Sequence, residues 1–142
     1  MPSKRTIFSL TEKCIFQIAA MSAALAVVLG AFGAHGLKKT LNESMLIVYR
    51  TGVDYHLMHS LALLLVRILS VLLNERLWLK RSAILFMIGI ILFSGSLYAL
   101  SVGGPRWLGP ITPLGGLSFI AGWLSLAVGI SKSNISNLSL KE

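Results

Sequence analysis

The sequence predicts an all-α integral membrane protein, a bundle of four helices with a short amphipathic interfacial helix between helices 1 and 2. Three observations carry this expectation. The 142 residues are 55% apolar and include only 13 Lys/Arg and 5 Asp/Glu, with a mean hydropathy of +0.79. A water-soluble domain of this size covers itself with many more charges. The apolar residues are gathered into four runs of about 20, the length that crosses a bilayer. Within those runs small residues return in steps of three and four, the spacing of a packed helix seam.

The first run comes after a basic tail, residues 1–13, with Lys4, Arg5 and Lys13. From Cys14 to Leu37 no side chain carries a fixed charge, which predicts a spanning helix over about 14–35. It is longer than a signal-peptide core, and three more runs come after it. Ala19, Ala23, Ala26, Gly30 and Gly33 form a small-residue seam that predicts a central place for this helix. Cys14 is the single cysteine, so neither an intrachain disulfide nor a CxxC site is available.

Residues 38–54 mix Lys38, Lys39, Glu43, Arg50 and Asp54 with Leu41, Met45, Val48 and Tyr49 on one helical face. They predict a helix lying in the interface, with Gly52 as the bend into the next span. The second span, about 55–73, carries Gly52, His56, His59, Ser60, Arg67 and Ser70 within about 60° of one line down its surface. Such a stripe is expected to face protein, because a charge facing lipid is costly. Arg67 has a second reading, snorkelling to the nearer headgroups.

The basic turn 74–81 leads to the third span, about 82–102, in which Ser82, Gly89, Ser96 and Gly103 are seven apart. Trp107 stands just after the Gly103–Arg106 turn as an interfacial anchor. The fourth span, about 111–130, opens with prolines suited to a first helical turn and carries Gly115, Ser118, Gly122, Ser125 and Gly129. Gly30, Gly33, Gly89, Gly95, Gly115 and Gly122 are the expected packing glycines. Residues 14–130 thus form one transmembrane domain, with a polar tail over 131–142.

Four spans put both termini on one side. The tails and the 74–81 turn carry eight Lys/Arg; the other side carries Lys38, Lys39, Arg50 and Arg106. Positive residues stay in the cytoplasm, so both termini are expected there. The formal charge of +8 flanks the apolar runs and makes no basic patch interleaved with aromatics, which argues against nucleic-acid binding and for contact with the lipid bilayer.

Four motifs stand in order: Gly30–Leu37; Thr51-Gly52 with Tyr55, His59 and Leu61–Leu65; Phe93-Ser94-Gly95-Ser96-Leu97-Tyr98; and Ile111-Thr112-Pro113-Leu114-Gly115-Gly116. Over about residues 14–130 they resemble the YgdD-like family of small bacterial membrane proteins, which is similar in turn to the animal transmembrane protein 256. The resemblance implies four transmembrane helices in a bacterial inner membrane. It brings no catalytic residues with it.

Placed on this topology, His35, His56, His59, Ser94, Ser96, Tyr98 and Thr112 converge on the outer half of the bundle, with Arg67 deeper on the same stripe. His59 is expected about one turn, roughly 6 Å, inside the outer face. Histidines can relay protons or hold metals. A zinc site needs three or four ligands, and only Asp54 stands near His56 and His59 in the sequence, so no metal and no haem is assigned. No GxSxG elbow surrounds the serines, and none of the carboxylates lies inside a span. The glycines near 30–36 end a helix, whereas phosphate loops begin one. No cofactor is expected. These features favour a non-enzymatic structural or accessory membrane protein, with a homo-oligomer or another membrane protein as its partner. A small oligomeric transporter or channel for protons, metal ions or a small solute is the alternative. What separates them is whether the helix-2 stripe is wet or closed.

Overall fold

A computed structural model of the protein describes residues 10–73 and 77–133, with side chains from residue 14 onward. The N-terminal tail, the start of the basic turn and the C-terminal tail beyond 133 lie outside the described residues. All regular structure among the described residues is helical, and four helices are long and apolar enough to cross a membrane. They are α1 (Leu10–His35), α2 (Glu43–Leu72), α3 (Leu77–Ser101) and α4 (Ile111–Lys132). Single 3-10 turns, Leu37–Lys39 and Arg106–Leu108, lie in the α1–α2 and α3–α4 connections.

The amphipathic segment is helical as expected, but it is not a separate interfacial helix. The side chain of Asn42 accepts a hydrogen bond from the Met45 N–H at 2.9 Å, capping a helix that then runs 30 residues without interruption. At 1.5 Å per residue α2 is about 45 Å long, so its first turns extend past the apolar part of the bundle. Gly52 is not a bend. It is buried in mid-helix, where an added Cβ would come within 3.1 Å of the Tyr98 ring. Close packing keeps it small.

α3 is continuous but not uniform. A π-turn over Ile90–Ser94 separates α-helical Leu77–Gly89 from Gly95–Ser101, marked by the Gly95 N–H bonding the Ile90 carbonyl five residues back. Such turns insert one residue and rotate the remainder of the helix around its axis. Gly103 is not part of the small-residue seam. The helix has already ended at Ser101, and Gly103 takes φ +87°, a left-handed conformation that side-chain-bearing residues rarely adopt.

The central helix is α2, not α1. α2 packs against both α1 and α3, whereas the extensive packing of α1 is with α2 alone. The α1 seam exists: Ala19, Ala26 and Gly33, seven apart, are buried. It is one narrow face, and Met21, Val27, Val28 and Phe32 around it are exposed. α4 packs on α3, with buried Gly115, Ser118, Gly122, Ser125 and Gly129 on the contact face. At Gly89 an added Cβ would overlap the Phe119 ring, at Gly115 the Phe93 backbone, and at Gly122 the Phe86 ring. Contact at that range is why those residues are glycine. On α1, a Cβ on Gly33 would come within 2.6 Å of the Tyr49 ring, and one on Gly30 within 3.1 Å of Val53. Gly95 is the exception among the expected packing glycines. It is exposed and an added Cβ would meet nothing within 4 Å, because it stands about 100° around the helix from the buried seam residue Ser96.

Candidate functional site

The polar residues of α2 divide between two partners. Ser60 turns towards α1, His56 towards α1 and the C-terminal half of α3, and His59 towards α4 and the N-terminal half of α3. Their exposures are 5% for His56, 2% for His59 and 0% for Ser60.

Around His56 four side chains form a hydrogen-bonded chain. The Ser60 hydroxyl donates to the His56 carbonyl, 2.8 Å away, and a carbonyl can only accept. Ser60 Oγ also lies 2.7 Å from Ser22 Oγ, so Ser22 supplies that hydrogen. Ser22 Oγ then accepts from Nε2–H of His56 at 3.0 Å, which leaves Nδ1 to accept from the Tyr98 hydroxyl at 3.1 Å. This one tautomer gives every contact a donor. Tyr98 rests against Tyr49, with ring centroids 5.2 Å apart, and Tyr49 donates to the Leu29 carbonyl at 2.9 Å.

His59 is held differently. Nδ1 lies 2.8 Å from the Tyr55 carbonyl and must donate, while the Trp123 indole N–H donates to Nε2 at 3.2 Å. Its ring stacks on Phe119 with centroids 3.5 Å apart and an interplanar angle of 11°, and Phe86 closes it from the side at 5.4 Å. Both nitrogens are committed to the fold, and the ring is enclosed by aromatic neighbours. His59 is the 17th residue of α2, and its partners Phe119 and Trp123 lie near the middle of α4. It therefore sits near mid-bundle, deeper than the one turn expected, because the middle of α4, not its first turn, packs against it.

The other expected residues do not join these two clusters into one site. His35 is exposed at the end of α1, about 20 Å along that helix from Ser22. Ser96 donates to the Phe93 carbonyl at 2.9 Å and meets the Thr112 hydroxyl at 2.7 Å, tying the C-terminal part of α3 to the first turn of α4. Ser94 is fully buried in the π-turn. Arg67 points towards the C-terminal end of α2: it donates to Ser70 at 2.7 Å and lies over the Phe16 ring of α1 at 5.6 Å. Among the described residues no three His, Cys, Asp or Glu stand together as a metal cluster would require.

Sequence reasoning missed Ser22, Tyr49 and Trp123. Ser22 had a signal, as the single hydroxyl between Cys14 and Leu37. Trp123 had one too, since tryptophans gather at interfaces and this one stands in mid-span.

A valley opens between α1 and α3, above α2. It is about 800 Å³ and is lined on one side by Ile18, Met21 and Leu25 and on the other by Ile90, Ile91 and Gly95, with Ser22, His56 and Tyr98 among its polar residues. A smaller pocket of about 290 Å³ lies between α2 and α4, beside His59 and Trp123.

Four apolar helices, packed at glycines and joined by hydrogen bonds between their side chains, define a small polytopic membrane protein. The family described as "Protein of unknown function (DUF423)" matches residues 29–116. The chain is 45% identical over 120 residues to the UPF0382 membrane protein YwdK of Bacillus subtilis, covering 84% of this chain and 98% of that protein. It is 39% identical over 122 residues to the UPF0382 inner membrane protein YgdD of Escherichia coli K12, covering 84% and 91%. With the UPF0382 membrane protein of Haemophilus influenzae the identity is 42% over 116 residues, covering 82% and 92%. The chain belongs to this family of membrane proteins. No solved structure matches it.

Proposed function

We propose that the protein is a non-enzymatic accessory component of a bacterial inner membrane, acting by lateral association within the bilayer. The observation that carries this reading is the state of the α2 stripe. His56, His59 and Ser60 are buried and spend their hydrogen bonds on α1, α3, α4 and their own backbone. A transport path needs polar groups left over for water or solute. Here the hydroxyls and imidazoles are used to join helices, the role such groups commonly have inside a membrane. The partners are the bilayer and a second membrane protein or copy of this chain, with no role for nucleic acid. The inner-membrane assignment rests on the names of relatives such as YgdD. The orientation, both termini cytoplasmic, rests on the eight-to-four distribution of Lys/Arg.

The test is thiol accessibility. In a Cys14→Ser background, single cysteines at Ser60, Leu63, Arg67 and Ser70 are exposed to a membrane-impermeant reagent from the outer side. Protection at all four is expected. Labelling at successive positions would reveal a wet path, and the transporter or channel reading would replace this one.

A further inference from the structure

The valley between α1 and α3 has features that packing within this chain does not account for. We propose that it binds a lipid-soluble isoprenoid quinone, with the ring over Gly95 beside Tyr98 and His56 and the apolar tail along α1. This goes beyond the accessory role, which requires no small ligand.

Gly95 differs in kind from the other glycines of the helix contacts. Those are small because a neighbour presses on them, whereas the space above Gly95 is open to beyond 4 Å. The π-turn immediately before it sets the orientation of this residue, and π-turns recur at functional sites. An open glycine beside the Tyr98 ring, one turn away on the same helix, leaves a flat surface on which a planar ring can lie. The valley runs along α1 from Cys14 to Leu29, about 22 Å at 1.5 Å per residue, which suits an elongated molecule. Its walls are aliphatic along most of that length and suit an isoprenoid tail.

The polar residues select the class of ligand. Ser22, at the middle of α1, and His56 line the valley near mid-bundle, and Tyr98, in the last turn of α3, brings its hydroxyl to within 3.1 Å of His56 there. The ester and phosphate oxygens of a phospholipid stay at the headgroup level, about 15 Å from the bilayer centre. An acyl chain therefore offers this cluster only CH2 groups. A quinone carries its carbonyl oxygens on a mobile, otherwise apolar body that enters the hydrocarbon region. The Tyr98 hydroxyl ends the hydrogen-bonded chain and can rotate from His56 Nδ1 to a ligand carbonyl, the acceptor that a quinone presents. Only binding is assigned to the valley, without electron transfer.

The experiment uses the full chain in phosphatidylcholine nanodiscs and an azido-benzoquinone photoprobe with a two-isoprene tail. Expected is labelling of peptides containing Ser22 or Gly95–Tyr98, removed by the unlabelled two-isoprene benzoquinone. Gly95→Leu fills the open space and is expected to lower labelling about tenfold or more without lowering the unfolding temperature. Tyr98→Phe keeps the ring, removes one hydrogen bond, and is expected to weaken labelling about three- to tenfold. Ile91→Trp, on the same wall, blocks the valley independently should Gly95→Leu misfold. Labelling that survives both blocking variants overturns the proposal. So does equal competition by phosphatidylglycerol, which would make the valley an ordinary lipid groove. A quinone-independent dimer lost in Gly95→Leu, read by native mass spectrometry, would assign the valley to a second copy and also overturns it. The accessory reading stands or falls separately, on thiol accessibility of the α2 stripe.

Discussion

At the scale of single residues, His59 shows how a histidine inside a membrane protein is used up by its surroundings. One nitrogen donates to Tyr55, the other accepts from Trp123, and Phe119 covers a face. Replacing His59 with phenylalanine keeps the stacking but leaves the Trp123 N–H without its acceptor. The expected loss is about 1–3 kcal/mol, the usual cost of orphaning a buried donor. Chemical or thermal unfolding in detergent measures it. Adding Trp123→Phe to that variant removes the orphan as well, so the double variant is expected to lose less than the two single variants summed. Additive losses would mean that the 3.2 Å contact contributes nothing. Gly33 and Gly95 differ in the same local way. Gly33→Leu must displace Tyr49 and is expected to destabilise by about 1–3 kcal/mol, as overpacking does. Gly95→Leu is expected to change unfolding by less than about 0.5 kcal/mol, the range of substitutions that touch nothing.

Elements differ in how firmly they are held. α2 contacts helices on two sides and carries both buried histidines, whereas α1 is held along a single seam to α2. That seam sets Gly33 against Tyr49 and Gly30 against Val53, with the Ser22–His56 and Ser22–Ser60 hydrogen bonds farther in. Ser22→Ala is therefore expected to loosen α1 specifically. Hydrogen exchange of α1 amides should accelerate by about three- to tenfold while α3 and α4 change little, reflecting one or two hydrogen bonds of net value about 1 kcal/mol. Uniform acceleration in all four helices would show that α1 opens only with the rest. At the other end of α2, Asn42→Ala removes the cap on Met45 N–H. A loss of about 1 kcal/mol, confined to fraying of the first turn, is expected in the same exchange experiment.

For the molecule as a whole, orientation is a matter of summed charge rather than contacts. Neutralising Arg76, Lys80 and Arg81 takes three of the eight Lys/Arg from the proposed cytoplasmic side and leaves five against four. The insertion bias should then weaken, and a reporter fused to the C-terminus should appear on both sides. An unchanged single orientation would show that this charge asymmetry does not set the topology.

Much of this architecture was legible before folding, and the reasons are periodic and compositional. Apolar runs near the length of a bilayer mark spans in any context, and small residues at three–four spacing mark contact faces. Gly33, Gly89, Gly115 and Gly122 therefore had only to be counted along a helix. Charge between the runs supported a topology, and ordered motifs such as Thr51-Gly52 to His59 and Ser94 to Tyr98 supported a family. Other features depended on three dimensions. That α2 continues upstream through Gly52, that α1 is peripheral, and that Gly95 faces open space instead of a neighbouring helix are all consequences of which faces meet. A linear pattern does not state the partner of a face. The separation of His56 from His59 is the clearest case. Three residues apart on one helix, they share a stripe, yet one is bonded to Ser22 and Tyr98 and the other to Trp123. Helical spacing places a side chain on a surface, but only the packing of the other helices decides what that surface touches.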